Sequence, residues 1–198
     1  HAFEGCSSLT QITIPSSVRS IGSHSFKGCI SLTQIKIPNS ITTINQSTFE
    51  ECSALKYISI PSSVKFIESS AFKKCHSLTQ ITIPSAVDEI KSNLFEDCTS
   101  LKNVVLSASA KTIESSAFKG CTLLESITIP SNVLSICSSS FEGCTSLVQV
   151  LIQSSVKTIE KNAFACCSSL TQIEIPSSVS SIGENCFERC SKLSTLTI

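Results

Sequence analysis

The chain has 198 residues, and its fifteen basic and fifteen acidic side chains cancel to a formal net charge of zero. One Tyr, no Trp and the lack of any basic run leave no footprint for nucleic-acid binding, and no apolar run is long enough to cross a bilayer as a helix. The regular apolar spacing along the chain argues against the disorder that abundant Ser and low charge would otherwise imply.

A Phe returns every 23 residues, at Phe3, Phe26, Phe49, Phe72, Phe95, Phe118, Phe141, Phe164 and Phe187. A Cys follows each one three places on, from Cys6 to Cys190. A unit this short cannot bury its own apolar face and must stack on a copy of itself. Residues 1–198 therefore read as a single array of about 8.6 units. The array starts and stops inside a unit and shows no polar capping unit, so it is expected to be a fragment of a longer one.

Within the first complete unit the apolar positions are Phe3, Cys6, Leu9, Ile12, Ile14, Val18 and Ile21. Leu9 to Ile14 ends in period-two alternation of β-branched residues and predicts a strand. Pro15 ends it, as do Pro38, Pro61, Pro84, Pro130 and Pro176 in their units. A Ser-Ser-Val turn follows, then a second short extended segment from Val18 to Ile21. Ser23 to Cys29, with Phe26 and Cys29 three apart, predicts one helical or 3₁₀ turn. Identical strands one unit apart can pair only in parallel, and the rest of each unit is long enough for the crossover. The predicted fold is a right-handed solenoid with one long parallel β-sheet of eight or nine strands, about 4.8 Å per rung.

Nine of the twelve cysteines share the column beside Phe. Parallel thiols about 4.8 Å apart fit disulfide geometry poorly, since a disulfide wants Cβ atoms near 3.8 Å. The column is expected to be reduced and buried. Cys137, Cys166 and Cys186 fall outside it and are expected as free thiols at surface or half-exposed positions.

The strand signature Leu-x-x-Ile-x-Ile, as in Leu9–Ile14 and Leu78–Ile83, resembles that of leucine-rich repeats. The fuller unit, nearly intact over residues 71–90, resembles the BspA-like class of that family, and the likeness runs along the whole chain. One departure is that the usual Asn ladder position carries mostly Ser (Ser17, Ser40, Ser63, Ser178), with one Asn at Asn132. The resemblance implies a leucine-rich repeat solenoid from a cell-surface or secreted protein, with a host or extracellular matrix protein as partner. It identifies no binding residue.

A second period of 46 runs through the charges. The residue after Phe alternates as Glu4, Lys27, Glu50, Lys73, Glu96, Lys119 and Glu142, and stacking is expected to set each Glu between two Lys. Arg19, Lys65, Lys111 and Lys157 keep the same period, as do Glu68, Glu114 and Glu160. No catalytic motif is present, so the chain reads as non-enzymatic, with no cofactor and no metal site. His1 and His24 share a column as an exposed pair. Cys166-Cys167 puts one thiol in the core and one outside, which disfavours chelation. The sequon Asn45-Gln46-Ser47 reads as a chance match.

Recognition is left to the variable columns. The outward strand positions, those of Gln11 and Thr13, are mostly amides and hydroxyls. Tyr57, Val105 and Leu151 break that pattern and are the candidate anchors, with Gln80, Asn103 and Thr128 as polar neighbours. Val105, Thr128 and Leu151 should form a stripe about 10 Å long. Drift in degenerate units is the competing explanation. Phe66 and Leu134 read as isolated exposures. The leading function is a protein-binding or adhesion module that presents a rigid sheet face. A structural spacer or an intracellular interaction scaffold are the alternatives. Uncovered terminal apolar residues, Leu193, Leu196 and Ile198, would favour weak end-to-end self-association.

Overall fold

The computed structural model describes residues 1–153 and 155–197. Each unit makes one coil with three hydrogen-bonded faces. The front face carries the strands Gln11–Thr13, Gln34–Lys36, Tyr57–Ser59, Gln80–Thr82, Asn103–Val105, Ser126–Ile129, Gln149–Ile152, Gln172–Glu174 and Thr195–Thr197. Strand pairing is parallel and slips by one unit, Gln11 lying opposite Gln34 and Ile12 opposite Ile35. The alternation that predicted these strands sets Ile35, Ile58 and Ile81 inward and their neighbours outward. At the strand end, the amides of Val18 and Val64 close tight turns on the carbonyls of Pro15 and Pro61, both at 3.0 Å. A second face of two-residue strands follows, from Thr43–Ile44 to Ser181–Ile182.

The front face is not one long sheet. It is laid down as one three-stranded and three two-stranded sheets. The ladder opens between Tyr57–Ser59 and Gln80–Thr82, between Asn103–Val105 and Ser126–Ile129, and between Gln149–Ile152 and Gln172–Glu174. The breaks recur every second unit, the same period as the charges. The second face holds the longest ladder, five strands from Glu89–Ile90 to Ser181–Ile182.

The Phe-bearing segment makes the expected i, i+3 turn, the Cys29 amide donating to the Phe26 carbonyl at 3.1 Å, but the turn does not extend, and no helix occurs among the described residues. Left-handed residues stand two places before and two places after Phe. In the unit around Phe72, Ser70 (φ 60°) and Lys74 (φ 59°) are both left-handed, and the equivalent His24 and Gly28 have φ of 59° and 70°. A left-handed residue on each side of Phe stops helix propagation. It also turns alternate N–H groups the same way. The amides of His24, Phe26 and Gly28 donate to the carbonyls of Gln46, Thr48 and Glu50 in the next coil at 3.0, 2.9 and 2.8 Å.

The core is built from columns. Phe rings stack with centroids 5.2–5.7 Å apart along its whole length. Beside them eight thiols, from Cys29 to Cys190, each donate to the carbonyl of the preceding coil's Phe at 3.1–3.2 Å. All twelve cysteines are free and the column is buried, except that Cys6 in the first unit is exposed. Cys137 and Cys166 are half-buried as expected, but Cys186 is not a surface thiol. It sits one residue before Phe187, in the same column as Ala71, Ala117 and Ala163, which are all buried. The serine ladder is also real. Ser40, Ser63, Ser155 and Ser178 hydroxyls donate to the carbonyls of Val18, Ile41, Val133 and Val156 at 2.5, 2.8, 2.9 and 2.9 Å. Leu193 is half-buried and Leu196 is exposed in the last coil, and Ile198 lies outside the described residues.

Candidate protein-binding face

Alternation along the front strands turns every proposed contact residue outward. Tyr57, Val105 and Leu151 are 54%, 58% and 52% exposed, and Gln80, Asn103 and Thr128 are exposed beside them. Ladder pairing places Gln80 opposite Asn103 and Thr82 opposite Val105. It places Thr128 opposite Leu151. Tyr57 and Gln80 face each other across one break in the ladder, and Val105 and Thr128 across the next, so the six are neighbours without sharing one sheet.

Troughs lie at two of the three breaks and also over the unbroken three-stranded part of the face. Tyr57, Gln80, Asn103 and Val105 line one of about 460 Å³. Asn103, Val105 and Thr128 line the next, of about 430 Å³. Leu151 lines neither and stands at the edge of the second through Thr128. Tyr57 also forms a wall of a third trough of about 730 Å³, with Gln34, Lys36 and Asn39. Those three residues were not anticipated, nor were Leu123 and Val148, which are 42% and 47% exposed. A signal for the last two was present, because Leu123 falls in a column of Ser (Ser77, Ser100, Ser146) and Val148 in one rich in Thr (Thr33, Thr79, Thr171).

Most ion pairs lie away from this face. Lys27 reaches Glu50 at 3.1 Å, Lys73 reaches Glu96 at 2.7 Å and Lys119 reaches Glu142 at 3.1 Å. The alternating column is thus three separate pairs, each Lys taking only the following Glu, and not a Glu held evenly between two Lys. Burial pushes the Glu50 carboxyl up, but hydrogen bonds from Ser47 and Lys27 outweigh it and hold the group below the ordinary carboxylate value. Burial is likewise outweighed at Glu142 by Ser139 and Lys119. On the second face the Glu114 carboxylate accepts from the Ser92 amide and hydroxyl at 3.0 and 2.8 Å and pairs with Lys91.

The His1 and His24 rings stack face to face with centroids 4.8 Å apart, and His1 Nδ1 contacts Glu4. Stacked rings do not converge their nitrogens on a common point. Among the described residues no group of three or more His, Cys, Asp or Glu could hold a metal ion. The sequon is built into the fold, since Asn45 Nδ2 donates to the Ile21 carbonyl at 2.6 Å and Ser47 is buried. Among the same residues no helix is long and apolar enough to cross a membrane.

Parallel coils of 23 residues, with inward Leu and Ile columns and a hydroxyl ladder, define a leucine-rich repeat solenoid. The chain belongs to the BspA type leucine rich repeat family, whose profile matches residues 1–125 and 111–198 in six copies. Among solved structures it is similar to the leucine rich repeat protein of T. pallidum, with 33% identity and a TM-score of 0.75, covering 81% of this chain and 78% of that one. It is also similar to a leucine rich cell surface protein of Faecalibacterium prausnitzii, at 29% identity and a TM-score of 0.73, covering 96% of this chain and 61% of that one. The chain therefore spans less than two thirds of the Faecalibacterium protein. Likeness to the pneumococcal vaccine antigen PcpA, at 22% identity and a TM-score of 0.55 over 94% of this chain and 61% of that one, concerns the fold alone. Comparison with curated proteins finds no match. Repeat proteins of this bacterial surface type are generally protein-interaction modules.

Proposed function

We propose that the front face is a docking surface of a non-enzymatic adhesion-type module that acts at the cell surface or in a secreted protein. One observation carries the reading: three large apolar side chains, each more than half exposed, stand on an otherwise amide- and hydroxyl-rich sheet, and two of them line troughs at breaks in its ladder. A protein partner would seat apolar groups against Tyr57, Val105 and Leu151 while Gln80, Asn103 and Thr128 fix its register by hydrogen bonds. The Phe, Cys and Ser columns hold the face rigid, so little ordering cost falls on this side of the complex. Similarity to a cell surface protein supports the location.

The test uses an extracellular-matrix protein preparation immobilised on a sensor chip. Wild type is expected to bind, and replacement of Tyr57, Val105 and Leu151 together by Ser is expected to weaken binding at least tenfold with little change in melting, as for true anchors. Equal binding by the triple variant would discard the anchors, and a spacer role would then be the better reading.

A further inference from the structure

Phe66 and Leu134 look isolated in sequence, but the structure puts them at opposite ends of one groove on the second face. The groove has a volume of about 710 Å³ and is lined by Lys65, Phe66, Ala86, Asp88, Ser109, Lys111, Asn132 and Leu134. Phe66 and Leu134 are 55% and 50% exposed and form its raised ends. Its floor is low because Ala86 takes the place of a ladder serine and Ser109 is small. The charge is unbalanced. Asp88 is committed to Lys111 at 2.8 Å, neighbouring Glu89 is held by Lys91, and Lys65 forms no ion pair among the described residues. Lys157 continues the same column one coil beyond Leu134, also unpaired among the described residues.

We propose that this groove binds an extended acidic segment of a partner protein, with apolar residues at i and i+4 and carboxylates beside them. The spacing sets the motif. Phe66 and Leu134 are three coils apart, about 14 Å at one strand spacing per coil, and four residues of extended chain cover about 13 Å. Positions i, i+2 and i+4 of an extended chain point the same way, so the two apolar side chains meet Phe66 and Leu134 while the middle one lies over the small floor. A carboxylate at the middle or the flanks then answers Lys65, the lining cation that forms no ion pair among the described residues. An alkaline or uncharged segment lacks that complementarity. The site is separate from the front face and does not depend on the function proposed for it.

Fluorescence anisotropy with labelled Asp-Leu-Thr-Glu-Thr-Leu-Asp, at low salt, tests this on the intact chain. Saturable binding is expected. The isomeric peptide Asp-Leu-Thr-Glu-Leu-Thr-Asp has the same composition and charge but turns its second Leu to the opposite side, and it should bind at least tenfold more weakly. Phe66→Ser and Lys65→Glu should each weaken the first peptide by a similar factor, and added salt should weaken it further. Both residues are exposed, so melting should be unchanged in the two variants. Tyr57→Ser, on the front face, should leave peptide binding as it is. No saturable binding, equal affinity for the two peptides, or full affinity in Phe66→Ser would overturn the proposal.

Discussion

At the scale of single residues, the cysteine column explains itself once its hydrogen bonds are seen. The carbonyl of Phe72 accepts from the Cys75 amide of its own coil at 3.2 Å and from the Cys98 thiol of the next at 3.1 Å. A buried carbonyl has two lone pairs, and a thiol is small and apolar enough to fill the space while still donating weakly. Burial also suppresses ionisation. Desolvation raises the Cys75 and Cys121 thiols well above their ordinary value and pushes Cys144 up to about 12. A thiol whose folded pKa is raised stabilises the fold fully below the unfolded value of about 9 and loses that contribution as pH rises toward the folded value. Several such thiols titrating together should make the melting temperature fall steeply above pH 9, and Cys98→Ala should flatten that fall. A thiol-specific reagent at neutral pH should find Cys6, Cys137 and Cys166 in the folded chain, with the nine buried cysteines appearing only on denaturation. A melting temperature flat from pH 7 to 11, or uniform labelling of the folded chain, would contradict this account.

At the scale of the element, the ion pairs act between coils and not within them. Lys73 and Glu96 are about a fifth exposed on their side chains, more sheltered than a typical surface pair, yet still screened. Lys73→Glu removes a 2.7 Å pair and sets two carboxylates on neighbouring coils. It should cost about 0.5–1 kcal/mol at low salt and less at 1 M salt, with front-face binding unaffected. Acid acts on the same elements. Glu50, Glu114 and Glu142 have folded pKa values below the ordinary 4.5, so their stabilisation is complete above that value and is lost as pH falls through the lower folded ones. A cost for Lys73→Glu that does not shrink with salt would mean that packing, and not charge, holds the segment. The strand and its alternation were legible because burial imposes a two-residue period that the sequence displays directly. The turn at Phe was legible from the i, i+3 spacing of Phe26 and Cys29, but the left-handed residues on either side were not, because Ser, Asn, Lys and other side-chain-bearing residues fill those positions far more often than Gly. The outward position of Tyr57, Val105 and Leu151 followed from the same alternation. The troughs beside them did not, because they form between side chains of two or more coils, over paired and unpaired strands alike. The Phe66–Leu134 groove was hidden for a related reason: its ends lie three coils apart in different columns.

At the scale of the whole molecule, every strand contact is between adjacent coils, along with continuous columns of Phe and Cys and a Ser column interrupted at Ala86 and Asn132. Stability is then a sum of coil and nearest-neighbour interface terms, and cooperativity depends on how strong each interface is. Across its three breaks the front face packs side chains without ladder pairing, so at those levels the Phe stack, the thiol ladder and the second face carry more of the coupling. Phe95 is fully buried, with Phe72 and Phe118 rings stacked at 5.7 and 5.3 Å on either side. Phe95→Ala should cost about 3–5 kcal/mol, because the flanking coils cannot close a gap without breaking the register of their hydrogen bonds. That loss falls on two interfaces at once and should exceed what the weakened middle can transmit. Wild type is expected to unfold in urea as a single transition, and Phe95→Ala in two, each with a smaller slope than wild type because each exposes only part of the surface. Hydrogen exchange should show protection lost first in the coils next to residue 95, with the turns around Phe26 and Phe164 still protected. A single transition of unchanged slope in the variant would show that the second-face ladder, which runs unbroken from Glu89 to Ile182, is enough to hold the array together as one unit.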